Sequence, residues 1–147
     1  CWKNAYFHGV RRLKQVSLSL QHVTYLPQEL LPGILYVSLE YTVAGHLCAC
    51  GCGNKVIVPL NRASWTFSEH RGLPTLYPSI GNWQLSCRSH YFITDGKIVW
   101  APQWTDTQIA MGREAEQFRL KMYYADLHRE NNLWRRLYKK IMQFWKG

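Results

Sequence analysis

The sequence lacks an apolar run that approaches the length of a bilayer-spanning helix, which needs about 20 consecutive apolar residues. Its first residues, Cys1-Trp2-Lys3-Asn4, do not resemble a cleavable signal. It also contains no internal repeat and no low-complexity linker. These absences predict a chain without a membrane span and a cytoplasmic location.

Acidic residues are scarce: nine Asp and Glu stand against 18 Lys and Arg, and the formal net charge is +9. Such a balance favours acidic partners, which include nucleic acid, an anionic membrane face and an acidic protein surface. Nine of the basic residues lie between Arg113 and Lys146, and a shorter basic run begins at Arg11-Arg12. Most runs of this kind are solvated faces. With 147 residues, 47% of them apolar, the chain suits one domain with a real core.

Residues 15–102 have the patterns of a small antiparallel β domain. Alternating or β-branched residues predict strands at 15–23, 34–42, 55–60 and 63–67. Residues 90–100 are typical of a hairpin, because Asp95-Gly96 suits a tight turn with positive φ at both positions. Three residues that break regular structure, Pro74, Pro78 and Gly81, predict a loop over 72–83.

The pattern becomes helical after Trp104. Thr105 or Asp106 can cap a helix that runs from Gln108 toward Glu130, and Asn131-Asn132 is a plausible break before a final helix. That last helix carries an apolar stripe, with basic residues elsewhere on its surface; the stripe is Leu133, Trp134, Leu137, Tyr138, Ile141 and Trp145. The sequence thus predicts an α+β protein with a β-rich zinc-binding domain over 1–104 and basic, amphipathic C-terminal helices over 105–147.

Four of the five cysteines, together with His90, fall into two clusters. Cys48, Cys50 and Cys52 crowd into five residues beside Gly51 and Gly53. Neighbours this close are poorly placed for disulfides, and clustered thiols in a cytosolic chain favour a metal. Cys87-Arg88-Ser89-His90 supplies two further ligands three residues apart. Together the two segments predict a zinc site between two loops.

The candidate ligands outnumber the four places around zinc, because Cys48, Cys50, Cys52, Cys87 and His90 already make five. Three protein ligands and a water would give a hydrolytic site, whereas four protein ligands would give a structural one. A hydrolytic site also needs a base, for which Glu69 and Glu40 are the candidates. His46 is a candidate for a supporting role beside the metal more than for a ligand.

Several segments resemble a bacterial family catalogued as domain-of-unknown-function family 6527, over about residues 30–105. The resemblance rests on the double signature Cys48-Ala49-Cys50-Gly51-Cys52-Gly53 and Cys87-Arg88-Ser89-His90, together with Leu35-Tyr36-Val37-Ser38 and Pro78-Ser79-Ile80-Gly81-Asn82-Trp83. It implies a small zinc protein whose relatives are often encoded beside bacterial ubiquitin-like proteins and their conjugating enzymes. Those relatives are regarded as peptidases of conjugation systems linked to phage defence. It also implies that Ser79 and Trp83 belong to the wall beside the metal, where they would contact substrate.

Two hypotheses follow for function. In the first, the protein is a zinc peptidase that removes or processes a ubiquitin-like protein; Glu69 or Glu40 moves the proton, and an exposed strand edge holds the extended tail. Arg88 would pair with an acidic group of the partner. In the second, it is a zinc-stapled binding module without catalysis. No His-Glu-x-x-His motif is present, which excludes the common zincin arrangement.

The basic C-terminal segment has several possible partners. Its aromatic residues, interleaved with Arg and Lys, suit a membrane surface or a partner helix. Packing of the stripe on the β domain is an equal alternative. Nucleic acid is less favoured, because no known reader motif is present.

Overall fold

The computed structural model describes residues 13–144, apart from the side chains at 139, 140, 143 and 144. This range forms eight strands and one helix: β1 (Ser19–His22), β2 (Ile34–Ser38), β3 (Val43–Leu47), β4 (Lys55–Pro59), β5 (Thr66–His70), β6 (Leu73–Gly81), β7 (His90–Thr94), β8 (Lys97–Trp100) and α1 (Asp106–Phe144). Residue contacts divide the chain into two compact units after Trp104. The predicted α+β class is confirmed. Arg11-Arg12, Trp145 and Lys146, which the sequence analysis singled out, lie outside the described residues.

The eight strands form two four-stranded sheets. The first has the order β1-β2-β3-β4 and the second the order β5-β6-β7-β8. All neighbours are antiparallel except β1 and β2. Isolated bridges link the sheets at both edges, from Leu60 to Trp65 and from Ser17 to Lys97. The sheets therefore enclose one core in the manner of a partly closed barrel.

Strand alternation fills this core with apolar side chains. On β4, Val56 and Val58 are buried while Lys55 and Ile57 are exposed, as expected for a strand with one face inward. The largest core cluster also contains Leu35, Val37, Ala44, Leu76, Ile80, Tyr91 and Ile93. Residues of both sheets thus pack face to face, and this packing fixes which residues of each strand point outward.

The strands around Asp95-Gly96 confirm the predicted hairpin. Asp95 has φ 47° and Gly96 has φ 73°, and the ladder closes with Thr94 opposite Lys97. Both turn residues need positive φ, which Asp tolerates and Gly adopts freely. β7 and β8 are therefore placed in register by their own turn.

The loop predicted over 72–83 is wrong, because most of it is the nine-residue strand β6. Arg71 and Gly72 have φ 53° and 77° and make a tight turn that returns the chain from β5. Pro78 lies where β6 has no regular partner in β7, so its missing N–H costs no ladder bond. The predicted strand over 34–42 is in fact two strands, since a turn with Thr42 at φ 48° separates β2 from β3.

The predicted break at Asn131-Asn132 is also wrong, since α1 is one continuous helix of 39 residues. Asn has an ordinary helix propensity, and neither Pro nor Gly interrupts the chain after Gly112 within this helix. Leu133, Trp134, Leu137, Tyr138 and Ile141 are exposed on it. No helix within residues 13–144 combines the length and the apolar character of a membrane span. Contact of this helix with a membrane surface or a partner helix stays a prediction.

Candidate active site and metal centre

Ser79 lies in an irregular stretch of β6 that turns it toward the neighbouring strand. Leu76 pairs with Ile93 and Ile80 pairs with Tyr91, so three residues of β6 face a single residue, Phe92, of β7. Such bulges bend a strand and change the direction of its side chains. Ile80 points into the core, whereas Ser79 is half-buried on the outer face.

On that face, the Ser79 hydroxyl forms a hydrogen bond with His90, the first residue of β7. The Oγ atom of Ser79 and Nε2 of His90 are 2.9 Å apart, and Nδ1 of His90 is 2.8 Å from the carbonyl oxygen of Pro102. His90 is only 3% exposed. Both ring nitrogens therefore have a partner in a nearly closed environment.

These partners determine the neutral tautomer of His90. A carbonyl oxygen only accepts hydrogen bonds, so Nδ1 carries the proton and donates it to Pro102. Nε2 then has a free lone pair, which accepts a hydrogen bond from the Ser79 hydroxyl. A nucleophile and an oriented base within hydrogen-bond distance have the arrangement of a serine hydrolase, with a carbonyl where the usual triad has a carboxylate.

Two tryptophans contact the imidazole ring of this pair. The Trp83 ring lies 4.9 Å from the His90 ring and stacks on Trp104 at 5.5 Å, while Trp104 meets His90 edge-on at 5.2 Å. Gly81 makes the arrangement possible, because a Cβ atom there would lie 2.3 Å from Nε1 of Trp83. The indole can therefore lie directly against the strand beside the Ser79–His90 pair.

The four clustered cysteines form a second group. The sulfurs of Cys48, Cys50, Cys52 and Cys87 all lie within 4.8 Å of one another. Four sulfurs held about 2.3 Å from a tetrahedral zinc ion would be about 3.8 Å apart. The pairs Cys48–Cys87 at 3.9 Å and Cys52–Cys87 at 3.8 Å are close to this value. The donor set therefore fits a metal ion that prefers sulfur, bound between two loops.

The thiols of this group differ in acidity. Burial raises the pKa values of Cys48 and Cys50. Burial opposes ionisation of Cys52 as well, but hydrogen bonds from Asn54 and from neighbouring thiols outweigh it and lower its pKa to about 7. Cys52 is the exposed member of the group. Cys52 therefore loses its proton more readily than Cys48 or Cys50 when a metal binds.

A buried hydrogen-bond network joins the cysteines to the strands that carry Ser79 and His90. Asn82 donates through Nδ2 to the Ser89 hydroxyl at 2.9 Å, and its backbone N–H donates to the Ser89 carbonyl at 2.9 Å. The Ser89 hydroxyl is also 3.1 Å from the sulfur of Cys48. Since Asn82 follows β6 and Ser89 precedes His90, the network fixes the thiol group relative to both strands.

His46 lies inside the core. It is fully buried, its Nε2 is 2.9 Å from the hydroxyl of Tyr91, and burial lowers its pKa to about 4. Among the described residues its Nδ1 has no hydrogen-bond partner. A neutral, enclosed imidazole of this kind supports the fold around Tyr91.

The structure does not bring the other predicted site residues to the thiols. Within residues 13–144, the group able to hold a metal consists of the four cysteines, and His90 bonds Ser79. Glu69 lies on β5, 2.8 Å from His22, while Glu40 is exposed in the turn after β2. Arg88 is exposed between Cys87 and Ser89 with φ 43°. Ser79 and His90 were both predicted site residues, but their pairing was not predicted, since only the β6–β7 register brings them together.

Comparison with known families identifies a matching family model. A family model described as bacterial ubiquitination-like system serine protease (BubE) matches residues 22–101, which is more than half of the chain. The matched range includes the four thiols and both residues of the Ser79–His90 pair. Neither the curated proteins nor the solved structures contain a match to this chain.

Proposed function

Because the chain belongs to the family of bacterial ubiquitination-like system serine proteases (BubE), we propose that it cleaves a bond made by a bacterial ubiquitin-like protein, with Ser79 as nucleophile. The observation that carries the proposal is the 2.9 Å contact between the Ser79 hydroxyl and Nε2 of His90. The partners would be the ubiquitin-like protein and the enzymes that conjugate it. The setting is a cytoplasmic conjugation system of the phage-defence type.

The proposed reaction begins when Oγ of Ser79 attacks the scissile carbonyl carbon and its proton moves to Nε2 of His90. The tetrahedral intermediate collapses as Nε2 returns that proton to the leaving amine, which leaves the acyl group on Ser79. Water then attacks the acyl carbon and gives its proton to Nε2. The bond between the acyl carbon and Oγ then breaks, Nε2 returns its proton to Oγ, and the carboxylic acid leaves the restored serine hydroxyl. The Pro102 carbonyl holds Nδ1–H throughout, so His90 keeps its orientation.

In this proposal the metal has a structural role in place of the catalytic one predicted from the sequence. Cys48, Cys50, Cys52 and Cys87 would hold a zinc ion with four thiolates, which leaves no position for a reactive water. When bound, zinc would cross-link the segment 48–52 to the loop before β7. The nucleophile is then the serine, and neither Glu69 nor Glu40 is needed as a base.

The test is labelling with a fluorophosphonate, which phosphonylates an activated serine and displaces fluoride. Intact mass and peptide mapping should place one adduct on Ser79. Ser79→Ala should lose both the adduct and the cleavage of a ubiquitin-like protein that carries a C-terminal extension. Ser68→Ala, an exposed serine on β5, is the matched control. Cleavage that persists in Ser79→Ala and stops on metal chelation would refute the serine mechanism.

A further inference from the structure

The barrel wall has a gap next to Ser79. Pairing between β5 and β6 ends with Thr66 opposite Tyr77, but β6 continues to Gly81. From residue 78 onward β6 has β7 on one side and, among the described residues, no strand on the other. β4 is the last strand of its own sheet. A cavity of about 320 Å³ lies between them, lined by residues 55–58 of β4 and 80–82 around the end of β6, with Trp65 also in its lining.

Every second peptide group of β4 points away from β3. The N–H of Leu60 donates to Thr42, and the N–H of Cys48 donates to Asn54. Both bonds fit the register in which Val58 faces Ala44, so the even-numbered residues 54–60 exchange hydrogen bonds across the β3–β4 pair. The N–H and C=O groups of Lys55 and Ile57 therefore point away from β3, toward the cavity that these residues line.

The end of β6 presents a matching group from the opposite side. The N–H of Asn82 donates to the Ser89 carbonyl, so residues 82 and 89 form a hydrogen-bonded pair of the β6–β7 ladder. Gly81 and His90, which lie opposite each other, then form a non-hydrogen-bonded pair. The N–H and C=O of Gly81 point away from β7 and into the gap. Two strand edges thus offer the same cavity peptide groups that have no hydrogen-bond partner within residues 13–144.

We propose that an extended segment of the protein substrate binds in this gap by strand addition, hydrogen-bonded to Ile57 on one side and Gly81 on the other. The proposal rests on the proposed serine-protease function, because it places the substrate chain beside Ser79, two residues before Gly81. Successive side chains of an added strand point to opposite faces. Those that face inward meet Val56, Val58 and Ile80, so small or apolar residues fit there.

A peptide chain is the ligand that suits this gap, because strands form both of its edges. Affinity comes from main-chain hydrogen bonds, which any extended segment can make, while the pockets for alternate side chains give specificity. The rest of the cavity lining includes the apolar side chains of Trp65 and Leu85 and the polar side chains of Lys55, Asn82 and Gln84. The site therefore recognises an extended segment that leads to the bond cleaved at Ser79, with small or apolar side chains where it faces the core.

Amide hydrogen exchange on the inactive Ser79→Ala protein tests binding without catalysis. The probe is a synthetic peptide that copies the C-terminal tail of the ubiquitin-like protein from the same bacterium. At saturation, the amides of Ile57 and Gly81 should gain protection, whereas those of Val56 and Val58, which already bond β3, should change little. Protection elsewhere, or none at these two amides, would overturn the proposal. This result does not depend on whether Ser79 is the nucleophile.

A kinetic test uses the active protein and the same tail joined to a fluorogenic amine. N-methylation of the tail should lower kcat/KM at alternate positions only, by about tenfold for each lost hydrogen bond.

Ile57→Pro removes an N–H that faces away from β3, and edge strands tolerate proline at such positions. It should lower the ratio of kcat/KM to the rate of fluorophosphonate labelling by about tenfold. Ile57→Thr keeps the N–H and should lower it less. An unchanged ratio in Ile57→Pro, or an effect without alternation, would refute strand addition.

Discussion

Oγ of Ser79 lies 2.9 Å from Nε2 of His90 across the β6–β7 pair, at the place where the register of that pair shifts. Tyr77, Pro78 and Ser79 together face Phe92, so the shift adds two residues to β6. The bulge is therefore what aims the hydroxyl at the imidazole. His90 in turn begins β7 at the end of the loop that carries Cys87. One sheet contact thus joins Ser79 to the segment that carries Cys87 of the thiol group.

The first prediction concerns metal content. We expect purified protein to hold one zinc ion per chain, and Cys48→Ser, Cys50→Ser, Cys52→Ser and Cys87→Ser each to abolish tight binding. His90→Gln should retain the metal, because His90 bonds Ser79 and Pro102 instead. At free zinc 1,000-fold above Kd, the metal would add about 4 kcal/mol to the free energy of unfolding. Metal analysis and urea unfolding with and without chelator measure both quantities, and loss of zinc in His90→Gln would contradict the four-thiol site.

The second prediction concerns the contact between Gly81 and Trp83. In Gly81→Ala the new methyl group would lie 2.3 Å from the indole nitrogen, so Trp83 must move away from His90 and Trp104. We expect a loss of about 1–3 kcal/mol in the free energy of unfolding, as for other overpacked sites. Near-ultraviolet circular dichroism should also lose the signal of the stacked indoles.

A double-mutant cycle provides the control. Trp83→Ala removes the ring that the new methyl group would strike, so Gly81→Ala should destabilise the Trp83→Ala protein much less than the parent. The two changes would then be non-additive, as expected for residues in contact. If the effects simply add, the close approach of the Trp83 indole to the strand is not the reason that position 81 requires glycine.

The third prediction is a pH dependence of stability that arises from His46. Burial lowers its pKa from 6.5 to about 4, so the unfolded chain binds more protons between these values. The contribution of His46 to the free energy of unfolding is therefore complete above pH 6.5. It decreases as the pH drops toward 4, by at most about 3 kcal/mol. His46→Gln keeps a polar group near Tyr91 and should show a flatter profile. Since both proteins share the same thiols, the difference between their urea unfolding curves isolates His46.

Several features follow from local sequence alone. The Asp95-Gly96 hairpin was predictable because two adjacent residues supply the positive φ values that its turn needs. The α+β class followed from the change of hydrophobic period after Trp104. The thiol cluster was predictable because Cys48, Cys50 and Cys52 are close in the chain. The break predicted at Asn131-Asn132 failed because helix continuity depends on the whole segment and asparagine is only a weak breaker.

The site depended on pairing between distant segments. Pro74, Pro78 and Gly81 indicated a loop, yet the Arg71-Gly72 turn, the ladder to β5 up to Tyr77 and the pairing of Ile80 and Gly81 with β7 make this segment the strand β6. Only then does the bulge bring Ser79 to His90, eleven residues away in sequence. No local pattern separates a histidine that binds a metal from one that bonds a serine.

The sequence by itself determined the hairpin turn, the helical C-terminal segment and the residues that are candidate ligands of a metal site. Each of these depends on neighbours within a few positions, where propensity and spacing act directly. The tertiary structure decided that Cys87 joins Cys48, Cys50 and Cys52, and that His90 faces Ser79. Such assignments require strand register, and register is set by the core that both sheets bury together.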